Sequence, residues 1–406
     1  MIRRDLAPHL LALATRHPII TVTGPRQSGK TTLCRDTFPH LPYVSLERPD
    51  RRAEVAEDPL GFLADHPDGA IIDEVQRVPE LLSYLQVEVD ERPQPGRFVL
   101  TGSQHFGLLR GVSQSLAGRT ALVHLLPPSL AELRRFEDAP DALWDLVYRG
   151  AYPAIYDRRV PASEWLGSYV GTYVERDVRD VLAIQDLRTF QTFLTLAAGT
   201  TGGLLNLSRL AADVGVAVTT IKAWVGVLET SFLAVRVAPW HKKLRSRLAK
   251  APKLHFLDSG LACWLLGIRS PEQLASHPLR GAIFESWVAA ELLKCRWHAG
   301  VREDLFHYRD RRGLEVDLVL EQPDRILAVE VKSGRTVAGD QLRALHQLGP
   351  LVEKAGLQMR GVLVYGGDEA RRTRGVELVP WSQLDRLTER SADPTAGAHA
   401  RLQPGA

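Results

Sequence analysis

The segment Gly24-Pro25-Arg26-Gln27-Ser28-Gly29-Lys30-Thr31-Thr32 follows an apolar run, Pro18 to Thr23, and leads into a helical pattern. Glycines five positions apart, the second followed directly by Lys-Thr, let successive amide N–H groups converge on phosphate oxygens, while a helix N-terminus adds its positive end. In that arrangement Lys30 pairs with the terminal phosphates of a nucleotide such as ATP, and the Thr31 hydroxyl suits Mg²⁺. The run Ala70-Ile71-Ile72-Asp73-Glu74 is an apolar strand ending in two carboxylates. Asp73 is placed to orient the metal ion, and Glu74 to polarise an attacking water. An acid directly after an acid points to hydrolysis rather than transfer to a small acceptor. A further strand, Phe98 to Thr101, ends in Gly102-Ser103-Gln104, where a polar side chain such as that of Ser103 could sense the outermost phosphate or hold the water.

A second set of chemistry-bearing residues lies far along the chain. Leu314-Glu315-Val316-Asp317-Leu318-Val319-Leu320 reads as a strand, Gln322 to Arg325 as a turn, and Ile326 to Val331 as the returning strand, with Glu330 and Lys332 on one face by alternation. A carboxylate on one strand and a Glu-x-Lys pair on its neighbour suit a second Mg²⁺ or Mn²⁺ held by Asp317 and Glu330, with the Lys332 ammonium orienting water. This is the constellation of restriction-endonuclease-like PD-(D/E)xK folds, which often draw a further ligand from the preceding helix. Glu285 is the candidate, with Glu291 the alternative. A cutting enzyme and a non-cutting module both remain compatible with these residues.

Between the two sets, Leu210 to Ile221 reads as a helix-turn-helix. Ala211 allows close approach, Gly215 makes the turn, and Ile221 and Trp224 seat the second helix. The strand Phe232 to Pro239, the stretch 241–253 with six Lys or Arg and no acid, and the strand Lys253 to Leu257 complete a winged helix. A basic loop beside a recognition helix is what contact with the DNA backbone requires, although such modules also pack against protein.

These sites need elements to hold them. Five short β-rich runs over residues 1–127 alternate with helical segments, which predicts a parallel sheet covered on both faces. A helical lid follows over 128–200, then the winged helix-turn-helix over 201–257, an α/β nuclease-like module over 258–390, and a Pro-, Gly- and Ala-rich tail over 391–406 expected to be disordered. Within 406 residues the formal net charge is only +3, so any nucleic-acid site must be local. Nine of the 51 basic residues are Lys, and five of the nine fall between Lys222 and Lys253. Three scattered cysteines, the lack of a signal-peptide pattern and the lack of a long apolar run predict a cytoplasmic protein with no membrane segment.

The runs GPRQSGKTTL, IDEVQ, LTGSQ and SLAGR, followed by YVERDV, HFLDSGL, LEVDLVL and AVEVKSG, resemble in order the bacterial and archaeal AAA-superfamily ATPases whose C-terminal half is a domain of unknown function. The resemblance implies an α/β fold: a P-loop NTPase sheet with a helical lid, then the winged helix and the nuclease-like module. It also implies that an arginine completes the nucleotide site; by position this is Arg119, acting within the chain or across a homo-oligomer boundary. The expected activity is ATP hydrolysis coupled to action on DNA, with possible metal-dependent cleavage. The alternative is a non-cleaving switch or remodelling ATPase.

Overall fold

The computed structural model describes residues 2–103, 115–174, 186–240, 251–301, 305–322 and 325–387. Five strands, β1 (Ile19–Gly24), β2 (Tyr43–Ser45), β3 (Ala70–Asp73), β4 (Phe98–Ser103) and β5 (Thr120–His124), form an all-parallel sheet in the order β2-β3-β4-β1-β5. The near-continuous apolar sequences of β1, β3 and β4 fit strands buried on both sides. Ile19, Ile72, Phe98 and Leu100 pack on one face with Leu81, Leu82 and Leu85. Ile20, Val22, Ile71 and Val99 pack on the other with Leu6, Leu10 and Leu33. Inserting β4 between β1 and β3 brings a third strand end between the glycine-rich loop and the Asp73-Glu74 pair.

Among the described residues the second half is built on nine strands: β6 (Gly203–Leu204), β7 (Ala234–Pro239), β8 (Lys253–Phe256), β9 (Leu305–Arg309), β10 (Glu315–Glu321), β11 (Arg325–Lys332), β12 (Gln358–Tyr365), β13 (Arg371–Thr373) and β14 (Val376–Pro380). Their order is β13-β14-β12-β11-β10-β9-β7-β8-β6. The expected hairpin is present as antiparallel β10 and β11, with Leu318 opposite Val329. A register shift between Val316 and Val319 on β10 places a bulge around Asp317, an irregularity that re-aims side chains.

The stretch read as a winged helix is not a free-standing unit. Ala238 and Pro239 of β7 pair with Phe306 and His307 of β9, so the β7-β8 hairpin is continuous with the C-terminal sheet. The edge of the hairpin is thereby covered instead of left open. The core is continuous as well. Tyr152, Phe190 and Phe193 from the helical segment share a cluster with Leu210, Ile221 and Trp224 and with Leu254, Phe256 and Leu261. Another cluster joins Leu126, Leu130 and Leu146 to Phe284, Trp287, Val329 and Val364.

Four helices carry residues of the two chemistry-bearing sets and of the stretch read as a helix-turn-helix: α1 (Lys30–Thr37), α2 (Leu207–Val214), α3 (Val218–Thr230) and α4 (Arg280–His298). Gly29, left-handed at φ 93°, starts α1. Gly215, at φ 80°, ends α2, and the axes of α2 and α3 differ by 106°. Among the described residues no single helix is long and apolar enough to cross a membrane.

Candidate functional site

The loop Gly24 to Gly29 turns around the C-terminal end of β1. Gly24 is required there: at φ 151° a Cβ would lie 2.1 Å from the Leu125 carbonyl oxygen. Lys30, at the start of α1, folds its buried ammonium back onto the carbonyls of Gly24 (3.1 Å) and Pro25 (2.8 Å). Burial pushes its pKa below the ordinary lysine value, against the pull of Glu74 and Asp73. These carbonyls are partners an ammonium can exchange for phosphate oxygens.

Asp73, at the end of β3, is the hub of the site. Thr31 Oγ1 donates to its Oδ2 at 3.0 Å and Tyr43 Oη to the same oxygen at 2.7 Å, while Thr101 Oγ1 donates to Oδ1. The Tyr43 phenol is driven up to about 12 by burial and by its bond to Asp73. Glu74 follows in the left-handed conformation at φ 57°, which turns its side chain away from the strand line. It accepts a hydrogen bond from Gln76 Nε2, and burial raises its pKa above the usual carboxylate range. A carboxylate so raised is a better proton acceptor.

A cavity of about 350 Å³ opens over these groups, lined by Arg26, Gln27, Lys30, Thr31, Thr32, Asp73 and Glu74, and closed from the helical segment by Pro153, Asp157 and Arg158. The residues fit a nucleotide and its metal ion. Ser28 Oγ is buried without a partner among the described residues, and Thr31 and Asp73 already adjoin as hydroxyl and carboxylate ligands of Mg²⁺ would. Bound there, Mg²⁺ would neutralise phosphate charge.

Ser103 ends β4 opposite Gly24 in register, which sets its backbone at the head of the site. Gln104 lies outside the described residues. Arg119 is not brought to this site. It precedes β5, at the end of the sheet where β1 begins, and its carbonyl accepts from Ile19 N–H. The guanidinium forms a two-pronged pair with Asp90 at 2.6 and 2.7 Å. The length of β1, about 16 Å at ~3.3 Å per residue, separates it from the phosphate loop.

Sequence reasoning did not single out Tyr43, Thr101, Arg158 or Arg4. The last is the least visible. Its buried guanidinium donates to the Ser28 carbonyl of the loop (2.8 Å), the Leu126 carbonyl (2.7 Å) and Glu132 Oε1 (2.9 Å). Nothing local in the sequence marks it, since its partners lie up to 128 positions away. Glu132 in turn lies 3.4 Å from His298 Nδ1 at the end of α4. Thus one chain of contacts joins the loop to the C-terminal half.

The second set converges, but with an unexpected member. Lys332 Nζ donates to Glu330 at 2.9 Å and lies 3.7 Å from Asp317, whose Oδ2 also accepts the Val331 N–H at 2.8 Å. Glu285 reaches the cluster from α4. Glu291 does not; it accepts from Leu130 N–H and from Lys294, pinning α4 to residues 128–130. Into the cluster comes Lys253 of β8, with its ammonium 2.9 Å from Glu285, 2.8 Å from Glu315 and 3.7 Å from Asp317. Burial would lower its pKa, but Glu285 and Asp317 raise it above the ordinary value. Burial, with Asp317 close by, pushes both Glu285 and Glu330 up to about 8. Lys253 is therefore not part of an exposed basic loop: it is buried, because the hairpin carrying it packs against α4. Residues 241–250 of that stretch, including Lys242, Lys243 and Arg245, lie outside the described residues, as do Glu175 to Asp177 and the tail 391–406.

Residues 16–134 match the model of an AAA domain, residues 140–272 that of the domain of unknown function DUF8612, and residues 280–384 that of the domain of unknown function DUF4143. An uncharacterized protein of Mycobacterium tuberculosis is 31% identical over 338 residues, covering 82% of this chain and 74% of that protein; a Mycobacterium bovis protein matches equally. The chain belongs to the family of these two proteins. Its N-terminal part is an AAA-type P-loop ATPase domain. Among solved structures, a Walker-type ATPase of Pyrococcus abyssi is 15% identical, with 64% of this chain and 94% of that one covered at a TM-score of 0.43. The RuvB protein of Thermotoga maritima is 20% identical, with 57% and 87% covered at 0.31. DnaA from Aquifex aeolicus, bound to AMPPCP, is 16% identical, with 55% and 85% covered at 0.30.

Proposed function

We propose that this family member hydrolyses ATP and uses the nucleotide state to control engagement of DNA by its C-terminal half. The observation that carries the hydrolysis is the grouping of Lys30, Thr31, Asp73 and Glu74 around one cavity at the head of the parallel sheet. Lys30 binds the terminal phosphates and Thr31 with Asp73 would hold the metal ion. Glu74 takes a proton from the attacking water, and Arg158 supplies positive charge from the helical side. Ser103 stands at the strand end where it can sense the outermost phosphate.

The DNA reading rests on the pair α2 and α3. Their 106° crossing and the turn at Gly215 suit a helix-turn-helix. Thr219 and Lys222, near the start of α3, are exposed where a recognition helix meets DNA. ATP turnover of the wild type should fall at least ~100-fold in Lys30→Ala and in Glu74→Gln, the scale of a lost phosphate anchor or general base. Turnover unchanged in both variants would remove the site. DNA affinity measured against salt concentration should lose about one unit of slope for each phosphate contact removed in the Lys242→Ala/Lys243→Ala/Arg245→Ala variant. An unchanged slope would remove the loop from the interface.

A further inference from the structure

The carboxylate cluster of the C-terminal sheet has the residue types of a divalent-metal site but does not fit one. Four acids meet there: Glu285 from α4, Glu315 and Asp317 from β10, and Glu330 from β11. The position between Glu285 and Asp317, where a bridging metal ion would sit, is taken by the Lys253 ammonium, 2.9 Å from one and 3.7 Å from the other. Glu315, the third partner at 2.8 Å, completes a cage of three acidic side chains about one cation. Glu330 is turned to Lys332. Among the described residues no group of three His, Cys, Asp or Glu is arranged to hold a metal ion.

Lys253 is not a surface side chain folded over a cleft. It is 2% exposed and its backbone is paired on both sides, with Val237 of β7 and Leu204 of β6. A lysine so placed is held by the sheet, and its charge cannot leave without leaving Glu285 and Asp317, 13% and 14% exposed, uncompensated. Against it, a Mg²⁺ ion needs near-ideal octahedral geometry and ligands free to turn toward it.

We propose that Lys253 is a built-in cation that takes the place of a divalent metal in the Glu285, Glu315 and Asp317 cluster and keeps this site metal-free. The nuclease-like residues Asp317, Glu330 and Lys332 then form an ion-paired joint between the α2-α3 unit and the C-terminal sheet, and no metal-dependent phosphodiester cleavage proceeds there. This inference is independent of the ATPase reading, because its test uses no nucleotide.

Mn²⁺ binding to the full chain, followed by electron paramagnetic resonance without nucleotide, tests it. The wild type should show no Mn²⁺ site that disappears in Asp317→Asn. Lys253→Met should gain one such site, bound at least ~30-fold more tightly than any in the wild type. That is the repulsion between an ammonium and a divalent ion about 4 Å apart, even at the dielectric of water. The gain should vanish in Lys253→Met/Asp317→Asn. If Lys253→Met does not fold, Lys253→Gln carries the same comparison with a polar side chain, and the wild-type arm stands alone. An Asp317-dependent Mn²⁺ site in the wild type, Asp317-dependent plasmid cleavage by the wild type in Mn²⁺, or a folded Lys253 variant that gains no site would each overturn the proposal.

Discussion

Replacing Arg4 by Met tests whether the phosphate loop is tied to the C-terminal half as the structure shows. Met keeps the unbranched apolar stem of the side chain and removes three hydrogen bonds, to Ser28, Leu126 and Glu132. Glu132 is fully buried, and burial opposes its ionisation; His298 and Arg4 outweigh that and hold the carboxyl well below its usual range. Breaking a buried ion pair costs about 3–5 kcal/mol, mostly because the surviving charge is left uncompensated. Here Glu132 keeps the amide N–H groups of Asp5 (2.6 Å) and Ser129 (2.9 Å), so the lower end, about 3 kcal/mol, applies. Denaturant unfolding followed by fluorescence of the eight Trp should show that loss as a lower midpoint with an unchanged slope. Affinity for a fluorescent ATP analogue should fall with it, because the Ser28 carbonyl loses the donor that orients the loop. The decisive arm is the pair Arg4→Met/Glu132→Gln, in which neither Arg4 nor Glu132 leaves the other's charge stranded. Its loss should be smaller than the sum of the two single losses by about 1–3 kcal/mol. Strict additivity, or an Arg4→Met midpoint equal to wild type, would refute the coupling argument.

Two further outcomes concern single positions. Gly24→Ala should abolish ATP binding, read by the same analogue, because the new Cβ would meet the Leu125 carbonyl at 2.1 Å and must displace the loop; affinity within a factor of two of wild type would contradict the strand–loop geometry. His124 is held neutral by burial, with its pKa pushed down to about 4, while it bonds Thr23 Oγ1 at 2.7 Å and sits 5.2 Å from the rings of both Phe232 and Trp297. Its folded pKa lies below the unfolded value, so the unfolded chain takes up the proton first and stability falls as pH drops through the interval from about 6.5 to 4. Between pH 7 and 5 the His124→Gln variant should therefore lose ~2 kcal/mol less than wild type, measured as denaturant midpoints. An equal loss in both proteins would show that this ring does not carry the acid sensitivity.

Much of the nucleotide site was legible because it is local. The spacing of Gly24, Gly29, Lys30 and Thr31 on a strand–loop–helix turn leaves little choice of geometry. An apolar strand ending in Asp73-Glu74 needs only to lie in the same parallel sheet. Tyr43 and Thr101 escaped notice because they matter only once β2 and β4 flank β3. Arg119 lies away from the nucleotide site of its own chain for a related reason: a short run such as SLAGR does not say which end of β5 it occupies, and the register with β1 puts it at the far end.

The lysines mark the same division. By itself the sequence determined that Lys30 serves a phosphate loop and that Lys332 stands beside Glu330, since both relations span a few residues and follow from strand and loop geometry. Only the tertiary structure decided that Lys294 pins α4 to Pro128, and that Lys253 faces inward to Glu285, Glu315 and Asp317. A cation in a basic stretch reads as solvent-facing until the sheet order is known. The pairing of β7 with β9 extends the hairpin into the C-terminal sheet, and the partly exposed acids of α4 and β10 then supply the partners that make a buried ammonium stable.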